Sequence, residues 1–288
     1  VFKSLEDNYD FIILEISSYQ LEYIKKLKSY ISVILNLSTD HLERHETLKK
    51  YFNTKLKIFD NAKHKIINNN LECSKKGITF DVKNNSIYVN NKSIENLAFK
   101  NYNLISYKDE KYKINGKHEA YNLSACIALL SILGLSLDEI MLGFSKRSHL
   151  SHRLERFCTY DGVTYINDSK STNSDSTFNA LESVEGNIVL IMGGDNKKIS
   201  YNALKNTINN KVKLLILIGE NREYVNNQLS VNIDTILLET LKDATDYIFA
   251  NLKSNCTVLF SPGSSSFSLY KNFEHRGNHF KTLVSNYV

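Results

Sequence analysis

Short apolar runs alternate with stretches of helical spacing along most of the chain. Residues 10–16 and 31–37 are apolar enough to form buried strands. Between them, apolar residues recur at helical spacing after Ser17-Ser18, a pair that predicts a helix cap. A strand, a helix and a second strand at this spacing predict a βαβ unit, which places both strands in one parallel sheet.

Beyond Phe59 the pattern changes to short strand-like runs separated by Asn and Gly. The candidate strands are residues 65–67, 77–81, 86–89, 103–107 and 111–114. They predict a small antiparallel patch at the edge of the parallel sheet, although asparagine-rich segments are also typical of mobile loops. Two helices are predicted next, over residues 116–134 and 136–144, with Gly134 as the stop of the first and Ser136 as the cap of the second.

A second alternation of strands and helices begins near Arg153. Asp161-Gly162 predicts a tight hairpin turn. Beyond it the predicted strands cover residues 187–192, 213–218 and 257–260, and the predicted helices cover residues 174–184, 220–229, 239–251 and 265–284. Strand–helix repeats of this kind predict a doubly wound, Rossmann-like domain.

The length of 288 residues favours two domains over one. Residues 146–151 are mostly polar and patternless, so we predict the boundary there, with domains at residues 1–149 and 150–288. The predicted fold class is α/β. The first domain has a mostly parallel sheet with a small antiparallel patch and is expected to be truncated at its N-terminus, because a buried strand follows Val1 so closely.

Composition excludes several classes of function. The net charge is +5, but the lysines are scattered and form no basic stripe interleaved with aromatic residues, so we expect no nucleic-acid partner. No run of 18 apolar residues exists, so we expect no membrane insertion. The four cysteines form no Cys-x-x-Cys pair, which argues against metal or redox use and favours the reducing cytoplasm.

Polar residues follow two predicted strands of the first domain. Glu15 lies near the end of one strand, and Asp40 and His41 follow the other. Ligands of open parallel sheets bind at the carboxyl ends of the strands, so a carboxylate and an imidazole there could hold a divalent cation such as Mg²⁺. The alternative, a pair of structural hydrogen-bonding groups, is equally compatible. Lys55 on the next helix either points back to this site or lies on a solvated face.

Three polar clusters follow predicted strands of the second domain. Residues 167–173 form a run of seven polar residues, residues 193–197 read Gly-Gly-Asp-Asn-Lys, and residues 261–266 are rich in serine. Free amides, hydroxyls and lysines at a helix start suit an anion, whereas the alternative is a set of ordinary capped loops. No G-x-G-x-x-G motif is present, so a dinucleotide site is not supported.

Several longer motifs resemble a known family. They are Glu15-Ile16-Ser17-Ser18-Tyr19-Gln20-Leu21-Glu22, residues 35–45, Lys55, Gly116-Lys117-His118, His152-Arg153-Leu154-Glu155, residues 167–173, Gly193-Gly194-Asp195 and residues 261–277. With these motifs, in family order over nearly the whole chain, the sequence resembles the Mur ligases. The motif at residues 272–277 is similar to the branch that adds D-glutamate rather than diaminopimelate or lysine.

The resemblance implies a role for each matching residue. The implied Mg²⁺ ligands are Glu15, His41 and Lys55 as a carbamate; the implied catalytic residues are His41, Lys55 and Lys170; the implied nucleotide contacts are Asp40, Arg153 and Asp168; and the implied D-glutamate pocket comprises Lys170, Thr172, Lys197, Ser266, Phe267 and Phe273. Lysines, hydroxyls and amides at three strand ends would suit an acceptor with two carboxylates.

The implied reaction is ATP-driven acyl transfer in peptidoglycan precursor synthesis. The substrates are ATP, UDP-N-acetylmuramoyl-L-alanine and D-glutamate, joined through an acyl phosphate by an enzyme expected to be a cytoplasmic monomer. The family's phosphate loop and UDP-binding domain would lie before Val1, so we expect this chain alone not to turn over ATP. Glu119, Ser151 and Ser268 depart from the family pattern. Two alternatives stay open: another Mur or folylpolyglutamate-type ligase, and a non-catalytic chain that only binds a ligand or partner.

Overall fold

The structure is a computed structural model. It describes residues 9–37, 42–71, 77–83, 86–90, 102–106, 114, 116–146, 150–195, 199–252 and 255–288. The chain divides into two compact units, the first with residues 1–105 and 121–140 and the second with residues 106–120 and 141–288. The sequence-based boundary at residues 149 and 150 stays a prediction.

The first unit is built on a mixed sheet. Its strands are β1 (Ser29–Ile34), β2 (Ala62–Asn68), β3 (Ile78–Lys83), β4 (Ser86–Asn90) and β5 (Tyr102–Ser106), in spatial order β1-β2-β3-β4-β5. β2 is parallel to both β1 and β3, and β4 is antiparallel to β3. The predicted antiparallel patch is confirmed where residues 77–81, in β3, pair with β4. Placing residues 65–67 in the patch was wrong, because β2 pairs in parallel with both of its neighbours. The predicted strand at residues 111–114 lies outside the described residues except for Ile114. β1 reaches β2 through a helical crossover, a connection that allows parallel pairing.

Helix ends in the first half of the chain follow the cap signals of the sequence. The helices are α1 (Ser18–Tyr23), α2 (Leu42–His45), α3 (Leu48–Leu56), α4 (Gly116–Ile132) and α5 (Leu137–Ser145). Ser17 and Gln20 form a capping box at α1, and the Ser136 hydroxyl accepts a hydrogen bond from Glu139 N at 3.3 Å. Gly134 has φ +89° just beyond α4 and ends that helix as predicted.

Residues 10–16 correct the sequence-based prediction. They form no strand and are largely exposed, with Ile13 at 90%. An apolar run becomes a buried strand only when neighbouring strands pair with it, and no described strand pairs with this segment. The prediction of a βαβ unit over residues 10–37 is therefore wrong. The observed unit runs from β1 through α3 to β2.

The second unit contains a six-stranded sheet in its described residues. The strands are β6 (Glu155–Tyr160), β7 (Val163–Asn167), β8 (Ile188–Gly194), β9 (Val212–Gly219), β10 (Asp234–Leu237) and β11 (Cys256–Phe260), in spatial order β10-β9-β8-β11-β7-β6. All neighbours are parallel except β6 and β7. These two form the predicted hairpin, whose turn residues Asp161 and Gly162 both have positive φ.

Helices cover both faces of this sheet. They are α6 (Ser174–Ser183), α7 (Lys205–Lys211), α8 (Arg222–Leu229), α9 (Leu241–Asn251) and α10 (Phe273–Ser285). α6, α7 and α8 pack in one apolar core, and α9 and α10 pack in the other. Alternate strand residues such as Leu190 and Ile191 point to opposite cores. This confirms the doubly wound prediction, although β10 and α7 were not predicted.

The last helix is shorter than predicted. The sequence predicted a helix over residues 265–284, but α10 begins at Phe273, with the Asn272 side chain accepting from His275 N at 2.8 Å. Ser265, Phe267 and Ser268 instead donate hydrogen bonds to the side chain of Asp195. Such side-chain-to-backbone bonds compete with helix formation, so the serine-rich segment stays a loop.

The close approach of β8 and β9 requires glycine at residue 193. A Cβ atom there would lie 2.0 Å from Ile218 O, and Gly193 has φ +112°. We expect Gly193→Ala to lower the free energy of unfolding by about 3 kcal/mol or more. Gly143→Ala in α5 is the control, because its Cβ meets nothing within 4 Å and alanine favours a helix by about 0.5–1 kcal/mol. Urea unfolding measures both, and equal small effects would contradict the packing described here.

Candidate functional site

The strand order of the second unit places a crevice outside the ends of β8 and β11. From β8 the chain runs outward to β9 and β10, whereas β11 and β7 lie on the other side of β8. Ligands of open α/β sheets bind at such a switch point. Three segments meet there: the β7 loop (residues 168–173), the glycine turn (residues 193–195) and the serine loop (residues 261–268).

Asp168 joins the β7 loop to the serine loop. Its Oδ2 accepts hydrogen bonds from the Ser171 hydroxyl at 2.5 Å and the Ser261 hydroxyl at 2.8 Å. Its Oδ1 accepts from Leu154 N at 3.1 Å, in a turn where Leu154 has φ +45°. Burial raises the pKa of Asp168 to about 6 despite these donors. Asp168 is thus a buried support of the site, and a role in nucleotide contact stays a prediction.

Arg276 of α10 binds the same two loops from the helix side. Its Nη1 donates to Ser264 O at 2.9 Å and Ser265 O at 3.0 Å. Its Nη2 donates to Ser169 O at 2.9 Å, and its Nε donates to the Ser169 hydroxyl at 3.1 Å. The side chain is 2% exposed, and burial lowers the pKa of Arg276 to about 10, so the guanidinium remains charged at neutral pH.

A buried layer lies beneath the β7 loop. Asn167 Nδ2 donates to His152 Nδ1 at 2.9 Å and to Gly277 O at 3.2 Å. A Cβ atom at Gly277 would lie 2.3 Å from His152 Nδ1, so glycine lets α10 approach this layer. Burial lowers the pKa of His152, which favours the neutral ring as acceptor.

A second polar network supports the glycine turn and the serine loop. Gly194 N donates to Asn221 Oδ1 at 2.9 Å, and Asn221 Nδ2 donates to the Ser264 hydroxyl at 2.9 Å. The Tyr201 hydroxyl lies 2.7 Å from the Ser264 hydroxyl, and burial raises the pKa of Tyr201 to about 12. The neutral phenol therefore remains a hydrogen-bonding group at this position.

The structure brings two residues of the predicted acceptor pocket together, since Lys170 Nζ lies 4.1 Å from the centre of the Phe273 ring. The buried Ser266 lines a cleft with Asp195 and Arg276, whose lining includes neither Lys170 nor Phe273. No hydrogen-bond partner of the Ser266 hydroxyl is found among the described residues. The remaining predicted residues are less defined: Thr172 and Arg153 are exposed, Phe267 is 74% exposed, and Lys197 lies outside the described residues.

Two of the predicted metal residues, Glu15 and Lys55, lie among the described residues of the first unit. Glu15 is exposed, and Lys55 Nζ lies 5.7 Å from the centre of the Tyr51 ring. Asp40 and His41 lie outside the described residues. A cleft of about 380 Å³ nearby is lined instead by Glu22, Arg44, His45, Glu46, Lys50, Asn53, Thr54 and Lys57.

The implied magnesium site stays a prediction. Glu15 offers carboxylate oxygens, whereas Lys55 would ligate a cation only as a carbamate, because an unmodified ammonium donates hydrogen bonds. Nowhere in the described part of the chain do three or more His, Cys, Asp or Glu side chains cluster so that they could hold a metal ion.

No described helix is both long and apolar enough to cross a membrane.

Several residues of the site received no role from the sequence. Arg276 and Asp195 were noted only as members of motifs, and Asn221 was not noted. His45 in the first unit is buried, with Nε2 3.0 Å from the Ser18 hydroxyl and Nδ1 3.3 Å from Glu22 Oε1. Asp195 could have been predicted as a site residue, because it directly follows a buried strand. Nothing local indicates a buried arginine or histidine, because their partners lie far away in sequence.

Two family models match the chain. The Mur ligase middle domain matches residues 1–130, and the Mur ligase, glutamate ligase domain matches residues 152–263. A UDP-N-acetylmuramoylalanine–D-glutamate ligase of Alkaliphilus metalliredigens is 33% identical over 96% of this chain and 64% of its own length. One of Christiangramia forsetii is 31% identical over 98% of this chain and 67% of its own length. The chain thus spans about two thirds of these relatives.

Solved structures share the fold. MurF ligase of Thermotoga maritima, in complex with ADP, aligns with a TM-score of 0.66 at 14% identity, over 95% of this chain and 66% of that one. E. coli FolC, in complex with DHPP and ADP, aligns with a TM-score of 0.59 at 15% identity, over 90% and 62%. These similarities confirm the mixed α/β fold class.

The raised pKa of Asp168 predicts a pH dependence of stability. Because folding raises this pKa from 3.8 to about 6, the folded state binds the proton more tightly than the unfolded state. The Asp168 contribution is full below pH 3.8 and is lost as the pH rises through 6, by about 3 kcal/mol. Asp168→Asn removes this dependence. The variant should be less stable than wild type at pH 4, and the difference in the free energy of unfolding, measured in urea, should shrink between pH 4 and pH 7.

Asp246 provides the control for this experiment. Its pKa is lowered by Lys242 and Tyr287, so its stabilisation has the opposite pH dependence and is lost as the pH falls. The loss of unfolding free energy in Asp246→Asn, relative to wild type, should therefore disappear at low pH. Parallel pH profiles for wild type and Asp168→Asn would contradict the burial of an ionisable carboxyl at residue 168.

Proposed function

Because the chain belongs to the Mur ligase family, we propose that it is part of an ATP-dependent ligase that adds D-glutamate to UDP-N-acetylmuramoyl-L-alanine. In this reaction the alanine carboxylate takes the γ-phosphoryl group of ATP and becomes an acyl phosphate. The amine of D-glutamate then attacks the acyl carbon, an amide bond forms and phosphate leaves. The product is a peptidoglycan precursor.

The main support for this proposal is that the β7 loop and the serine loop lie together at the switch point. Lys170 brings an ammonium group, held 4.1 Å from the Phe273 ring centre. Ser266 brings a buried hydroxyl with no partner among the described residues. An ammonium and a free hydroxyl suit the carboxylates of a small amino-acid acceptor.

The proposed preference for D-glutamate rests on the names of the relatives. The two relatives above carry the name of the D-glutamate-adding ligase at 33% and 31% identity. The structural neighbours of the MurF and FolC type support the fold alone, so the alternative of a different acceptor is tested by offering other amino acids. A chain that only binds is the second alternative, and absence of product in the full-length protein would favour it.

Further residues complete the proposal, some of them outside the described part of the chain. Lys197 is proposed as a second cation for the acceptor, and Asp40 with Arg153 as contacts of the nucleotide. Mg²⁺ enters the proposal through the family resemblance alone, with Glu15, His41 and carbamylated Lys55 as its ligands. No step of the reaction above is assigned to it.

Removal of either lysine tests the acceptor site. A charge-assisted contact contributes roughly 1.5–3 kcal/mol, which corresponds to about ten- to a hundredfold in binding. We therefore expect Lys170→Ala and Lys197→Ala, in a protein of full family length carrying this sequence, to raise the KM for D-glutamate by that factor. The KM for ATP and the melting temperature should change little.

Lys213→Ala is the matched control, since Lys213 is an exposed lysine of β9 in the same unit. It should leave the KM for D-glutamate unchanged. If both pocket variants keep the wild-type KM, or if they unfold instead, the lysines are structural and the acceptor site lies elsewhere.

A further inference from the structure

The carboxylate of Asp195 binds four donors of the serine loop. Its Oδ2 accepts from the Ser265 hydroxyl at 2.5 Å and from Phe267 N at 2.7 Å. Its Oδ1 accepts from Ser268 N at 2.9 Å and from the Ser268 hydroxyl. Both carboxylate oxygens are therefore committed to one short segment of the loop.

These donors flank Ser266 without including it. Ser265 precedes it, and Phe267 and Ser268 follow it, so the backbone is held immediately on both sides of Ser266. On the N-terminal side, Arg276 Nη1 also donates to Ser265 O at 3.0 Å. The side chain of Ser266 is left in the cleft, 4% exposed and without a partner among the described residues.

A buried hydroxyl without a partner costs stability unless a ligand supplies the missing hydrogen bond. Asp195 is a strong acceptor that lines the same cleft, but each of its carboxylate oxygens already accepts two donors. Asp195 thus leaves the Ser266 hydroxyl available to an incoming group.

Asp195 itself is unsuited to touch the acceptor. Burial acts to raise its pKa, but the hydrogen bonds from Ser265 and Ser268 outweigh burial and hold the pKa below its ordinary value. An ionised carboxylate has no proton to donate and would repel a carboxylate ligand. Its contribution must therefore act through the loop it holds.

We propose that Asp195 is a positioning residue for the acceptor amino acid, which fixes the serine loop so that the Ser266 hydroxyl is presented to a carboxylate of D-glutamate. This inference rests on the proposed function above. Ser268 takes part through its backbone amide and its hydroxyl, which both donate to Asp195 Oδ1.

The test is steady-state kinetics of Asp195→Asn and Ser268→Ala in a protein of full family length carrying this sequence. Asn keeps one acceptor oxygen in place of two, so we expect the KM for D-glutamate to rise about tenfold with kcat and the KM for ATP within threefold. Ser268→Ala removes one donor and should raise the same KM about threefold. The double variant should be no worse than Asp195→Asn alone, because both changes act through one contact.

Hydrogen exchange gives a readout that does not depend on catalysis. The amides of Phe267 and Ser268 should be protected in wild type and exchange at least tenfold faster in Asp195→Asn. Asp246→Asn is the control, since Asp246 accepts from Lys242 and Tyr287 and does not line the cleft. It should leave the KM for D-glutamate unchanged.

The outcomes separate the two proposals. A wild-type protein that forms no product with D-glutamate overturns the proposed function. A wild-type protein that uses D-glutamate, with an unchanged KM in Asp195→Asn, overturns the positioning role. Additive effects in the double variant, or an equal rise in the KM for ATP and D-glutamate, would show that Asp195 acts on the fold as a whole.

Discussion

The candidate site depends on a buried guanidinium that binds backbone carbonyls. Arg276 has no salt-bridge partner among the described residues, and its donors go to the carbonyls of Ser169, Ser264 and Ser265 and to the Ser169 hydroxyl. Burying a charge without a direct counter-ion is costly unless hydrogen bonds replace the lost water. The acceptors of these bonds belong to two loops, so the cost of burying the charge is offset only when both loops are in place.

This arrangement divides the polar residues of the site into supports and groups that remain available to a ligand. Asp168, Asp195 and Asn221 each bond to a second segment of chain, so the loops are held by hydrogen bonds rather than by apolar packing. Ser266 is the buried hydroxyl that these bonds leave free among the described residues. A site prepared in this way loses little conformational entropy when an acceptor binds.

The sequence predicted what depends on local pattern. The buried strands of the second unit, the Asp161-Gly162 hairpin and the position of the three loops at strand ends all follow from periodicity and turn residues. Residues 10–16 were mispredicted because a strand needs a neighbour that periodicity does not reveal. The start of α10 was mispredicted because Asp195, about seventy residues away, holds residues 265–268 in a loop. The role of Arg276 was missed because its partner Ser169 also lies far away in sequence.

A crystal structure with D-glutamate bound would show whether Ser266 is held free for a carboxylate of the acceptor. We expect a carboxylate oxygen about 2.7 Å from Ser266 Oγ, with the bonds of Asp195 and Arg276 to the serine loop unchanged. A ligand bound away from this loop, or a Ser266 hydroxyl bonded to the protein while D-glutamate is in place, would contradict it.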